Sequence, residues 1–208
     1  MKNFWNSYYI KKKKIFRPSN FAKYCLNNFF NLKKKLLEFG CGDGRDSFFF
    51  YKHKLSVCAI DKSQIIIHKN LAKINNKNIK FYKKDVVKDY LGDLGKFDYL
   101  YARFFLHTIN LKSEKLFFKK ILKLGIKNKT LIFLEFRTIK DPLLKLGKKI
   151  SRNETFTDHY RRFIDTKELI KKIRNNKRLK ILKFIERKGL ARFKKENPVV
   201  CRLILKIV

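Results

Sequence analysis

From Lys35 onward the sequence alternates short apolar runs with segments of helical periodicity, and this alternation limits the chain to very few folds. Residues 36–39, 55–60, 79–82, 97–102 and 130–137 read as strands. Residues 46–53, 63–74 and 113–124 read as the helices between them, with Asp46 placed to favour the positive end of the first. Strands that each wait for a helix imply right-handed crossovers and a mainly parallel sheet covered on both faces. Residues 165–173 give one more helix, followed by strands at 180–186 and 199–208 joined through residues 189–198. Two successive strands without a helix between them predict an antiparallel pair at one edge. Ahead of the alternation, residues 2–34 read as helical. Pro18-Ser19 opens a second helix that carries Phe21, Tyr24, Cys25 and Phe29 on one face. The Lys11 to Lys14 run is expected to be solvated. The fold class expected is α/β, a Rossmann-like doubly wound sheet.

A chain of 208 residues accommodates one domain with a substantial core. No apolar run approaches the roughly 18–20 residues that cross a bilayer, and the basic N-terminus lacks the apolar stretch of a secretory signal. Cys25, Cys41, Cys58 and Cys201 show neither Cys-x-x-Cys spacing nor a nearby histidine at zinc-ligand distance, so free thiols in a reducing cytoplasmic setting and no metal are expected. The net charge of +36 admits two readings. Lysine far outnumbers arginine and is scattered along the chain beside abundant Phe, Ile, Asn and Tyr, the pattern of a compositional bias. The scarcity of Asp and Glu is not explained by that bias and leaves room for a polyanionic partner or substrate.

The first strand ends in Glu38-Phe39-Gly40-Cys41-Gly42-Asp43-Gly44. Glycines here let the backbone turn and approach a ligand closely. A dinucleotide loop also carries them, but its third glycine falls three residues after the second, whereas Gly44 follows Gly42 by two. Glu38 would be unwelcome beside a pyrophosphate and favourable beside the sulfonium and amino group of S-adenosylmethionine. Asp61 ends the second strand about 20 residues on, where a carboxylate accepts ribose hydroxyls. Asp85 follows the third strand, within reach of an adenine amino group. Three acids at three successive strand ends, in an acid-poor chain, point to that cofactor.

The run 37–47, with Ala59-Ile60-Asp61-Lys62-Ser63, resembles the class I S-adenosylmethionine-dependent methyltransferases over residues 35–137. Within them it is similar to the small-molecule branch that includes tellurite-resistance-type enzymes. Through His159-Tyr160-Arg161-Arg162, Gly189-Leu190-Ala191, Pro198 and Arg202 it also resembles methyltransferases of surface-polysaccharide gene clusters, hence a role in polysaccharide biosynthesis. The resemblance implies a seven-stranded sheet whose last strand is antiparallel. It places Glu38, Gly40, Gly42 and Gly44 along the methionine part of the cofactor, Asp61 with Lys62 at the ribose, Asp85 with Val86 at the adenine, and Arg103 beside the methyl group and substrate. It also implies one methyltransferase domain over residues 1–208: a helical segment 1–34, a cofactor-binding core 35–137, and a substrate cap with the strand pair at 138–208.

Methyl transfer needs alignment of the acceptor and, for an alcohol, removal of a proton. The candidate catalytic residues are His107, Arg103 and His159, with Glu135 a further possible base unless it only pairs with Arg137. His107 has the alternative of ordering the helix after it. Arginine forks suit phosphate or carboxylate, so Arg103, Arg137, Arg161 and Arg162, with Tyr160, suggest an anionic small-molecule or glycan acceptor. Arg161-Arg162 also fits a solvated helix start. A nucleic-acid methyltransferase is the alternative favoured by charge. Tyr101-Ala102-Arg103-Phe104 stands where such enzymes carry an Asn/Asp-Pro-Pro-Tyr-type motif. A cofactor-binding module without catalysis is a third possibility. Trp5, Tyr8 and Tyr9 either close over the site or pack on the sheet.

Overall fold

The computed structural model describes residues 2–11, 17–74, 77–193 and 195–208. A seven-stranded sheet of order β3-β2-β1-β4-β5-β10-β9 forms its centre. The strands are β1 (Lys35–Phe39), β2 (Ser56–Asp61), β3 (Ile79–Lys83), β4 (Tyr99–Arg103), β5 (Leu131–Arg137), β9 (Leu179–Arg187) and β10 (Val200–Ile207). β1 to β5 pair in parallel, and β10 runs antiparallel to both β5 and β9. This is the Rossmann-like, mainly parallel sheet that the alternation predicts, with the seven strands and reversed last strand that the resemblance implies. The order reverses between β1 and β4, so a crevice opens at the carboxyl ends of these two strands, the usual ligand position in such sheets.

Among the described residues six α-helices, α1 (Lys2–Lys11), α2 (Asn20–Phe29), α3 (Arg45–Lys52), α4 (Gln64–Leu71), α5 (Leu111–Leu124) and α6 (Thr166–Arg174), accompany the sheet. Two apolar cores follow from the strand period of two. Leu37 and Phe39 pack toward Phe117 and Ile121 of α5 and Leu169 of α6. Leu36, Tyr99, Tyr101 and Phe133 meet Phe21 and Cys25 of α2, Phe50 of α3 and Ile67 of α4. Phe117 is fully buried, and its truncation to alanine is worth about 3–5 kcal/mol. Ser19 caps α2 by accepting from the Ala22 amide at 3.0 Å. Its own amide and hydroxyl donate to the Asp46 carboxylate, each at 2.7 Å, and the Tyr101 hydroxyl donates to the same group at 2.9 Å. Asp46, in the first turn of α3, thus ties α2, α3 and β4 together.

Several expected boundaries shift. β4 begins at Tyr99 because Phe97 makes only an isolated bridge to Gly125. α4 stops at Leu71, and Asp165 caps α6 by accepting from the Lys167 and Glu168 amides. A three-stranded antiparallel sheet over β6 (Lys148–Ser151), β7 (Glu154–Phe156) and β8 (Tyr160–Arg162) has no counterpart in the sequence reading. Arg161 and Arg162 therefore belong to a strand, not to a solvated helix start. Of the Lys11 to Lys14 run, Lys11 ends α1, and its side chain and Lys12 to Lys14 fall outside the described residues. Among the described residues no helix is long and apolar enough to cross a membrane, no cluster of side chains could hold a metal ion, and all four cysteines are free thiols.

Candidate functional site

The crevice widens into a cavity of about 970 Å³. Parallel registry fixes what stands along its floor. Phe39 of β1 pairs with Ile60 of β2, so Gly40 falls beside Asp61. Glu38 pairs with Tyr101 of β4, so on the other side Gly40 falls beside Arg103. Asp61, Gly40, Gly42, Lys62, Asp85, Val86 and Arg103 all line the cavity.

The glycine loop has the conformation that glycine permits. Gly40 and Gly42 take φ of +66° and +53°, in the left-handed region that side chains disfavour. A methyl group on Gly42 would stand 2.7 Å from the Tyr9 hydroxyl. The Gly42 amide donates to Asp61 Oδ2 at 3.0 Å and the Ser63 amide to Oδ1 at 2.9 Å, while Asn70 Nδ2 donates to the Gly42 carbonyl at 2.8 Å. Asp61 thus fixes the loop with both oxygens, each retaining a lone pair for a further donor. Burial raises its pKa against the lowering by the Ser63 and Gly42 amides.

α1 closes over this loop. Ser63 Oγ donates to Asn6 Oδ1 at 2.7 Å, and Lys69 Nζ to the Tyr9 carbonyl at 2.7 Å. Trp5, Tyr8 and Tyr9 line the cavity, and Trp5 also meets the His159 ring at 4.9 Å. Burial, reinforced by Asp61, holds the Tyr9 hydroxyl well above its usual pKa.

Other expected site residues stand elsewhere. Glu38 is buried under the loop, off the cavity wall, where its Oε2 accepts from Ser47 Oγ at 2.5 Å. Burial, then the nearby Asp46, pushes its pKa well up. Gly44 also lies off the wall, at the start of α3. His107 lies in the turn Leu106–Thr108, buried and off the wall, its Nδ1 accepting from the Arg137 amide at 3.3 Å. Burial, with Arg137 next, drives its pKa well down, so the ring is neutral. His159 is likewise buried and off the wall. Glu135 pairs with Arg103 and Arg202, at 2.9 and 2.8 Å, instead of with Arg137. Arg137 does line the cavity, but its guanidinium meets Asp141 at 3.0 Å and Glu196 at 2.6 Å. Arg162 turns away to α5, where Nη2 meets Glu114 at 2.5 Å, and Arg161 is engaged by Asp158 at 2.6 Å. Neither lines the cavity, so Arg103, Arg161 and Arg162 do not converge.

Tyr160 does reach the wall, together with Glu154, which accepts its hydroxyl at 2.6 Å. Glu154 escaped the sequence reading because nothing marks β7 as part of a site. Phe104 is another omission. It lines the cavity with φ of +54°, a conformation bulky residues avoid, and its amide donates to the Glu135 carbonyl at 2.7 Å. Only the fold can impose that conformation, so no residue pattern announces it.

Residues 37–124 match a family model described as a methyltransferase domain. No curated protein matches the sequence. Among solved structures, an S-adenosylmethionine-dependent methyltransferase from Anabaena variabilis superposes with a TM-score of 0.74 at 18% identity, covering 100% of this chain and 93% of the other. One from Methanosarcina mazei gives 0.73 at 16% identity, covering 88% and 97%. A glycopeptide N-methyltransferase complexed with S-adenosylhomocysteine gives 0.70 at 10% identity, covering 95% and 93%. At these identities the structural likenesses establish the fold alone.

Proposed function

We propose that the chain, whose residues 37–124 match a methyltransferase-domain model, is a class I methyltransferase that moves the methyl group of S-adenosylmethionine to oxygen or nitrogen of a small or saccharide-type, anionic acceptor. A single domain over residues 1–208 carries the reaction. The observation behind this reading is the row Asp85, Asp61, Gly40 and Arg103 along one cavity floor, crossing the carboxyl ends of four neighbouring strands. Adjacent strands stand about 4.8 Å apart, so the row extends over roughly 14 Å, enough for an extended nucleoside with an amino-acid tail.

In this reading Asp85 and Val86 border the adenine, and Asp61, with Lys62 next to it, accepts the ribose hydroxyls. Gly40 and Gly42 let the methionine part lie against the backbone. Glu38 and Gly44 act from beneath, by holding the loop and the start of α3. The sulfonium supplies an activated methyl carbon, and the chain's residues align the acceptor with it and take its proton. Glu154, with Tyr160, is the acid–base pair on the acceptor side of the wall and is the proton acceptor proposed. His107 and His159 support the wall by packing. An anionic acceptor is favoured by Arg103 and the exposed Arg192 at this end.

The test is incubation with methyl-labelled S-adenosylmethionine and a panel of hexuronic acids, sugar phosphates, nucleotide sugars and RNA. Label in a saccharide supports the reading. Label in RNA alone supports the nucleic-acid alternative that the charge of +36 favours. Cofactor binding with no transfer to any of them supports a non-catalytic module.

A further inference from the structure

We infer that Arg103 forms a carboxylate-binding subsite at the seam between the cofactor and acceptor halves of the cavity. The inference takes its probes from the methyltransferase reading, and its geometry stands without it. Arg103, Glu135 and Arg202 lie side by side on β4, β5 and β10, on one face of the sheet. Glu135 is divided between them: Oε1 accepts from Arg103 Nε at 2.9 Å and Oε2 from Arg202 Nε at 2.8 Å. Two guanidiniums thus share one fully buried carboxylate, and the trio carries one uncompensated positive charge.

Arg202 is held inside the protein. Its Nη2 donates to the Leu190 carbonyl at 2.8 Å, and its guanidinium lies 5.0 Å from the Tyr24 ring centre. Arg103 is held differently. Only its Nε is engaged, its guanidinium lies 4.1 Å over the Phe104 ring, and among the described residues no acceptor meets Nη1 or Nη2. Asp46 attracts it from farther off, but the Asp46 oxygens are already met by Ser19 and Tyr101. Burial would lower the Arg103 pKa, and Glu135 with Asp46 more than reverses this, so the charge persists. A largely enclosed cation that shares its one paired carboxylate with a second guanidinium, and keeps free donors, is costly unless a further anion joins it. Fixed at Nε and on one face, the fork is pre-organised for the planar, bidentate geometry of a carboxylate. Arg137, the neighbouring cation, already has two carboxylates of its own.

The carboxylate could belong to the amino-acid tail of the cofactor or to the acceptor. Both sources are separable by calorimetric titration of the wild type and Arg103→Gln with S-adenosylhomocysteine and with 5′-methylthioadenosine, which lacks that tail. Each protein, loaded with S-adenosylhomocysteine, is then titrated with glucuronate. A ten-fold or greater loss of S-adenosylhomocysteine affinity, with methylthioadenosine held within two-fold, assigns the subsite to the cofactor. Unchanged S-adenosylhomocysteine affinity with loss of glucuronate binding assigns it to the acceptor. Arg103→Gln behaving as wild type toward all three ligands overturns the inference, as does an equal loss for S-adenosylhomocysteine and methylthioadenosine. Arg103→Lys, which keeps a charge for Glu135 but lacks the fork, gives the same comparison if the glutamine variant does not fold. A wild-type chain that binds neither nucleoside refutes the methyltransferase reading instead.

Discussion

Asp61→Asn separates the two tasks assigned to this carboxylate, holding the loop and holding the cofactor. Both oxygens accept backbone N–H groups, from Gly42 at 3.0 Å and Ser63 at 2.9 Å. An asparagine has one oxygen, so one of these amides faces an NH2 group and loses its partner in a largely buried place. An unsatisfied buried donor costs about 1–3 kcal/mol. A domain of this size loses about 2–4 °C of melting temperature per kcal/mol, so the variant should melt lower by roughly 2–12 °C. Binding should fall further, because the ribose hydroxyls lose a charged acceptor. Hydrogen bonds to charged groups contribute about 1.5–3 kcal/mol, which is roughly 10–150-fold in affinity for S-adenosylhomocysteine. Differential scanning fluorimetry and calorimetry read the two effects separately. An Asp61→Asn chain that binds S-adenosylhomocysteine within two-fold of wild type refutes the placement of the ribose, whatever happens to its stability.

Three further outcomes follow from the same geometry. Glu38 has a raised pKa in the folded chain, so the folded form binds a proton that the unfolded form releases above about pH 4.3; its stabilising contribution is full below that value and is lost as pH rises toward the folded pKa. Glu38→Gln, permanently neutral and still able to accept from Ser47, should therefore melt higher than wild type at pH 8, with the gap closing below about pH 4; a lower melting point at pH 8 contradicts this. Arg162→Ala leaves Glu114 buried without its partner, which costs about 3–5 kcal/mol, while S-adenosylhomocysteine affinity stays within two-fold; lost binding with unchanged melting would return Arg162 to the site. Trp5 is the single tryptophan and lines the cavity, so its fluorescence should change and saturate at the calorimetric Kd, and Trp5→Phe should abolish the signal; an unresponsive Trp5 would mean that α1 does not cover the bound ligand.

The strands of the parallel core were legible because each is an apolar run flanked by helical periodicity, and the loop because Gly40, Gly42 and their acids stand in fixed order. The sheet of β6 to β8 was not, since all four residues of Lys148–Ser151 are exposed and leave no apolar pattern. Pairing was the harder loss. Glu135 is two residues from Arg137 in sequence, yet its partners are Arg103 and Arg202, which only strand order and register bring beside it. Proximity in sequence misled in the same way at His107, four residues past Arg103, because the turn Leu106–Thr108 carries it into the interior. The Arg161-Arg162 pattern fits a solvated or substrate-facing cation, and only the packing of β8 on α5 shows the carboxylate partner of Arg162.

In the proposed function one cavity floor, from Asp85 to Arg103, recognises S-adenosylmethionine as a whole. Calorimetric titration of the unmodified chain with S-adenosylmethionine, set against NAD, tests it most directly. One saturable site for S-adenosylmethionine and none for NAD is the expected result; saturable binding of NAD without binding of S-adenosylmethionine would refute this assignment of the cavity.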